Sequence, residues 1–159
     1  MELIIIYLLF AGVGRFEMEI KPACVSDLQV LALFSEHDDF IIDFLGEDKI
    51  YYTRYNSDEK IDSVWLAYDG IHPAGCIACR KKSEGIMEVK RLFIQKEYRG
   101  RGISKTLLTA LENHAREQGY GKLFLDTRIT LEPAVSLYRK SGFEIIFKQG
   151  LYVQLEKKL

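Results

Sequence analysis

Cysteine is scarce in this chain of 159 residues, which has only Cys24, Cys76 and Cys79. So few, and an odd number, exclude a disulfide-stapled secreted scaffold and imply reduced thiols in a cytoplasmic protein. Two of them form Cys76-Ile77-Ala78-Cys79, but in an apolar run that reads as a strand, where positions three apart face opposite sides. No second pair of this kind and no paired histidines complete a zinc site, so both read as small buried side chains and no metal is expected. Net charge is also nearly absent, at -1, which leaves no global field to draw the chain to nucleic acid or to an anionic membrane. Long hydrophobic runs are missing too. Residues 3–13 make eleven apolar or glycine positions, short of the ~20 that a membrane helix needs, and no basic segment precedes them as in a signal peptide. With no repeat and no low-complexity linker, the length suits one compact domain.

What is present centres on residues 88–111. Val89-Lys90-Arg91-Leu92-Phe93-Ile94 reads as a strand, and Ile103, Leu107, Leu108, Leu111 and Ala115 lie at the spacing of one buried helix face. Between them runs Arg99-Gly100-Arg101-Gly102-Ile103-Ser104, so a basic glycine loop feeds into a helix N-terminus. The first turn of a helix leaves about four main-chain N–H groups without partners, and the helix dipole adds partial positive charge. A phosphate meets both needs. Glycine lets an anion approach the backbone, and Arg99, Arg101 and Lys105 add charge, so the loop reads as a diphosphate cradle, the alternative being a tight strand-to-helix turn with solvated arginines. The dinucleotide pattern Gly-x-Gly-x-x-Gly fails at Lys105, and no P-loop motif occurs.

The rest of the chain supplies a framework. Met18 opens a strand through Ala23; Ser26 caps a helix with Leu28, Leu31, Ala32 and Phe34 inward, and Asp38 or Asp39 starts a second short helix that ends at Gly46. Phe40, Phe44, Tyr51, Tyr52 and Tyr55 form a candidate pocket wall or core set. Strands over 64–68, 74–80 and 86–94 make an antiparallel meander, with a turn at 69–73. The helix from Gly102 to about Gln118 leads into a strand at 123–127, which implies a parallel pair through a right-handed crossover. Pro133 opens a last helix stopped by Gly142, followed by strands at 144–148 and 151–156.

On these residues the chain resembles a known family. An apolar strand, then Arg-x-x-Gly-x-Gly/Ala, then an amphipathic helix resembles the acyl-CoA site of the GNAT-type N-acyltransferases, with Ser104 in the last motif position. Ala134-Val135-Ser136-Leu137-Tyr138-Arg139-Lys140-Ser141-Gly142-Phe143 resembles the later segment of the same family, in the right order. The likeness covers 18–159 in layout and 88–143 in motif. It implies an α/β (α+β) fold: a mixed, mostly antiparallel sheet flanked by helices, with a parallel strand pair splayed at the acyl-CoA site. Residues 18–159 would form one N-acetyltransferase domain, and residues 1–17 an apolar extension or a start assigned too early.

The resemblance also implies roles. Acetyl-CoA is the cosubstrate, with the backbone of Leu92, Phe93 and Ile94 holding its pantetheine arm and Arg99, Gly100, Arg101, Gly102, Ile103, Ser104 and Lys105 its diphosphate. Tyr138 is the candidate proton donor to the departing thiolate and Glu88 the candidate base, with Asp126 an alternative for acceptor binding. Leu131 stands where the family often has asparagine, which removes one polar contact. With no cysteine or serine in a nucleophile motif, the expected reaction is direct attack by a primary amine in a ternary complex. A module that senses acyl-CoA without turning it over is the alternative, and a homodimer is compatible with the apolar first segment and late strands.

Overall fold

The computed structural model describes residues 5–8, 16–46 and 60–159, with side chains from Met18 onward. One mixed sheet organises the described residues: β1 (Ile5–Leu8), β2 (Phe16–Ala23), β3 (Ser63–Asp69), β4 (His72–Ser83), β5 (Ile86–Ile94), β6 (Lys122–Arg128), β7 (Glu144–Gln149) and β8 (Tyr152–Lys158). Their spatial order is β1-β2-β3-β4-β5-β6-β8-β7. All neighbours run antiparallel except β5 and β6, which the crossover helix makes parallel. The meander turns are tighter than expected: Gly70 and Ile71 alone link β3 to β4. Pro73 therefore lies inside β4, where the register shifts opposite Ala67 and Tyr68, a place in a ladder that tolerates a missing N–H.

Among the described residues three helices flank the sheet: α1 (Leu28–Leu45), α2 (Ile103–Glu117) and α3 (Glu132–Lys140). On α2 the expected stripe is buried at every position, with Ile103, Leu107, Leu108, Leu111 and Ala115 each at most 2% exposed. The α1 segment corrects two expectations. It is one helix rather than two, because no glycine or proline interrupts 28–45 and Val30, Leu33 and Ile41 continue a single buried row. Its inward face is also different: Leu28 and Leu31 point to solvent, 81% and 48% exposed, and Phe40 and Phe44 are part-exposed. Asp27 caps this helix by accepting from the Gln29 N–H at 2.8 Å, while the Ser26 hydroxyl pairs with the Cys24 thiol.

Each sheet face has its own core. The larger gathers Ile77, Cys79, Met87, Val89, the α2 stripe, Leu123, Leu125, Tyr138, Phe143, Val153 and Leu155. The smaller lies under α1 and gathers Val30, Leu33, Val64, Leu66, Cys76, Ala78 and Phe93. Cys76 and Cys79 thus occupy opposite faces, as alternation along a strand requires, and burial pushes both thiols up to about 12. Glu112, on the buried side of α2, is neutralised by Lys157 of β8 at 2.7 Å. Among the described residues no helix is long and apolar enough to cross a membrane.

Candidate active site

The sheet opens between its two parallel strands. β5 and β6 pair only at Ile86↔Lys122, Met87↔Leu123 and Glu88↔Phe124. Beyond that point β5 stays with β4 to Ile94, and β6 stays with β8 to Arg128, so the two strands part. A bulge in β5 accompanies the parting. The register jumps from Phe93↔Cys76 to Lys90↔Ala78, so Arg91 and Leu92 together oppose Ile77. Extra residues of this kind bend and twist a strand. Arg91 takes the left-handed backbone (φ 57), unusual for a residue with a Cβ and costing on the order of 1 kcal/mol or more. Its surroundings hold it there: the guanidinium pairs with Asp38 of α1 and lies over the Phe34 ring, and its carbonyl accepts from the Cys76 thiol at 3.3 Å.

The loop leaving β5 carries the expected cradle residues. A short 3-10 turn over Lys96–Tyr98 is followed by Gly100 and Gly102, both with left-handed backbones (φ 76 and 78). Open space surrounds the position a Cβ would take at either glycine. The Arg99 N–H bonds back to Lys96 and the Thr106 N–H to Gly102. Among the described residues none accepts a hydrogen bond from the main-chain N–H of Gly100, Gly102, Ile103, Ser104 or Lys105. The first turn of α2 contains no acid. The cations are arranged unevenly. Arg99 turns inward, its Nε donating to the Ile94 carbonyl at 2.9 Å and its guanidinium 5.1 Å from the Phe40 ring. Arg101 lies 4.0 Å from Asp69 and over Tyr98, while Lys105 is exposed.

The candidate acid and base flank the opening. Glu88 is 4% exposed, with Arg80 Nε at 2.7 Å and Lys90 Nζ at 3.7 Å, so both oxygens face cations. Tyr138 packs edge-on to Phe143, and burial, followed by the nearby Asp126 charge, raises its hydroxyl above the ordinary tyrosine value. That hydroxyl has no hydrogen-bond partner among the described residues. Asp126 is exposed and accepts from the Tyr152 hydroxyl at 3.1 Å, which in turn accepts from Gln154 Nε2 at 2.8 Å. Sequence reasoning missed Tyr152, Gln154 and Arg80, because only strand register brings them to these carboxylates. Leu131 sits at the N-cap of α3 with no side-chain cap bond. Of the aromatic set, Phe40 and Phe44 belong to α1, whereas Tyr51, Tyr52 and Tyr55 lie outside the described residues.

Known proteins resemble this chain in sequence and in fold. An N-acetyltransferase of Schizosaccharomyces pombe, itself uncharacterised, is 29% identical over 140 residues, 78% of this chain and 85% of that protein. A Dictyostelium discoideum protein, also an uncharacterised N-acetyltransferase, is 48% identical over 58 residues, 36% of this chain and 27% of its own length. The chain spans under half the length of several other curated relatives that it matches. The crystal structure of the PaiA N-acetyltransferase from Thermoplasma acidophilum in complex with coenzyme A has a similar fold. It superposes with a TM-score of 0.68 at 21% identity, over 91% of this chain and 100% of that one. The model of the acetyltransferase (GNAT) family matches residues 31–143, a span that runs from α1 through the parted strands to the end of α3. By that match, and by a sheet that opens just where its helix head stands bare, the chain belongs to the acetyltransferase (GNAT) family.

Proposed function

We propose that the protein transfers an acetyl group from acetyl-CoA to a primary amine of a small molecule, amino acid or peptide, by direct attack in a ternary complex. One observation carries this reading. The N–H groups of Gly100, Gly102, Ile103, Ser104 and Lys105 have no acceptor among the described residues, and they stand at the C-terminal end of β5, where the sheet is open. A diphosphate satisfies such donors and the helix dipole together. The pantetheine arm then extends along the free edge of Leu92, Phe93 and Ile94 in the manner of an added strand.

The chemistry follows from the groups at the opening. An alkylammonium has a pKa near ~10.4, so the acceptor must lose a proton before it attacks. Glu88 is the proposed proton acceptor, through a water molecule because Arg80 and Lys90 occupy its near side. The neutral nitrogen attacks the thioester carbonyl, a C–N bond forms and the C–S bond breaks. The departing thiolate takes its proton, or a strong hydrogen bond, from Tyr138, whose raised pKa keeps the hydroxyl protonated at neutral pH, and the second proton, shed by the attacking nitrogen as the amide forms, restores the tyrosine. The products are the N-acetylated amine and free coenzyme A.

Calorimetry with acetyl-CoA, followed by free-thiol release with a panel of amines, tests the reading. Gly102→Asp crowds the cradle and repels the diphosphate. Ser104→Asp adds the same charge where an acid favours the helix, so it folds and still repels. Both variants should lose acetyl-CoA binding by tenfold or more. Normal binding by Ser104→Asp would remove the diphosphate from this loop, and binding without amine-dependent thiol release would indicate a sensor.

A further inference from the structure

Two carboxylates stand where β5 and β6 part, and they are differently engaged. Glu88 alternates with Met87 and Val89 of the larger core, and Asp126 follows Leu125 of that core, so both face the α1 side. Glu88 is buried and faces Arg80 and Lys90. Asp126 is exposed, and among the described residues no lysine, arginine or histidine pairs with it. Its only hydrogen bond among them comes from the Tyr152 hydroxyl, itself held by Gln154.

Register brings further side chains onto this face. Gln154 lies opposite Asp126, Phe147 lies opposite Gln154, and the Phe147 and Tyr152 rings meet edge to face at 6.3 Å. Phe147 is 46% exposed and Tyr152 36%. A carboxylate without a counter-cation among the described residues thus borders an open floor of two aromatic rings. That combination suits an organic ammonium, which gains a Coulomb partner and a ring face together. Asp126 lies two residues beyond Phe124, the last β6 residue that pairs with β5, so it stands at the opening itself.

We infer that Asp126, oriented by Tyr152 and Gln154, receives the ammonium of the acceptor, and that Phe147 and Tyr152 carry its apolar body. The acceptor class is a primary amine on an aromatic or alkyl frame with no carboxylate beside the nitrogen. This rests on the acetyl-transfer reading above and narrows its acceptor. An amino acid would set its own carboxylate against Asp126 and Glu88, while the nearby Arg80 and Lys90 are engaged by Glu88.

Phenethylamine and phenylalanine differ by that one carboxylate and are the probes. Free-thiol release would be measured with each on the wild type, Asp126→Asn and Asp126→Glu, and acetyl-CoA affinity by calorimetry on all three. The wild type should favour phenethylamine by about tenfold or more in kcat/KM. Asp126→Asn should raise the phenethylamine KM by about tenfold, leave acetyl-CoA affinity unchanged and narrow the discrimination, and Asp126→Glu should restore part of it. An unchanged KM in Asp126→Asn, or a wild type that binds acetyl-CoA yet shows no preference for phenethylamine, overturns the inference alone. A wild type that does not bind acetyl-CoA overturns the acetyl-transfer reading and this inference with it.

Discussion

Tyr138 has a hydroxyl with no hydrogen-bond partner among the described residues and an aromatic ring engaged by Phe143 and the larger core. Removing the oxygen should therefore leave packing intact and expose only its chemistry. Tyr138→Phe is expected to lower kcat by about two orders of magnitude while acetyl-CoA affinity and melting temperature barely move; unchanged turnover in a stopped-flow thiol assay would rule the hydroxyl out as donor. His37 carries the opposite kind of signature. Its Nδ1 is buried with no hydrogen-bond partner among the described residues, and burial first, then the Arg91 cation, lower its pKa from 6.5 to about 4. Between those values the unfolded chain takes up a proton that the folded chain refuses, so stability falls as pH drops from about 6.5 to about 4. The loss is at most about 3 kcal/mol. Urea midpoints across that window should decline less in His37→Phe, and parallel declines would exclude this histidine. At this scale the motif residues were legible, because 99–105 and 134–143 are contiguous in the chain. Tyr152 and Gln154 were not, because they reach Asp126 only through the β6–β8 register.

Among the elements, α2 could be read directly, since its apolar positions occupy one side only. Helix α1 could not, because Leu28, Leu31, Phe40 and Phe44 offer a second apolar side, and the choice between the two was made by the sheet beneath. The bulge in β5 also left no mark in the sequence: the left-handed residue is an arginine, held by Asp38 and the Cys76 thiol rather than favoured by its own backbone. Opposite the far end of that bulge, Gly75 pairs with Ile94 so closely that a Cβ would lie 2.5 Å from both the Phe93 carbonyl oxygen and the Ile94 Cδ1. The carbonyl belongs to the main chain and cannot swing away. Gly75→Ala should thus cost roughly 1–3 kcal/mol in denaturant melts. It should also raise the acetyl-CoA KM by displacing the end of β5, and a variant with wild-type melting and KM would show that this approach is slack.

At the scale of the whole molecule, the layout was readable from the order of elements: a meander, a crossover helix and two closing strands leave few ways to build one sheet. The parting of β5 from β6 was expected from family resemblance, and its physical means, a bulge tied to α1, became visible only in three dimensions. The same sheet divides the interior into two halves, and the two buried cysteines fall one in each. They form a pair of built-in reporters. A thiol reagent should consume Cys24 at once, since it is exposed, and then wait for Cys76 until the α1 layer lifts and for Cys79 until the α2 layer does. Mass spectrometry of partly labelled chains would separate these two clocks. Equal rates would mean that both layers open in a single event, and unequal rates would tell which side of the protein lets go first.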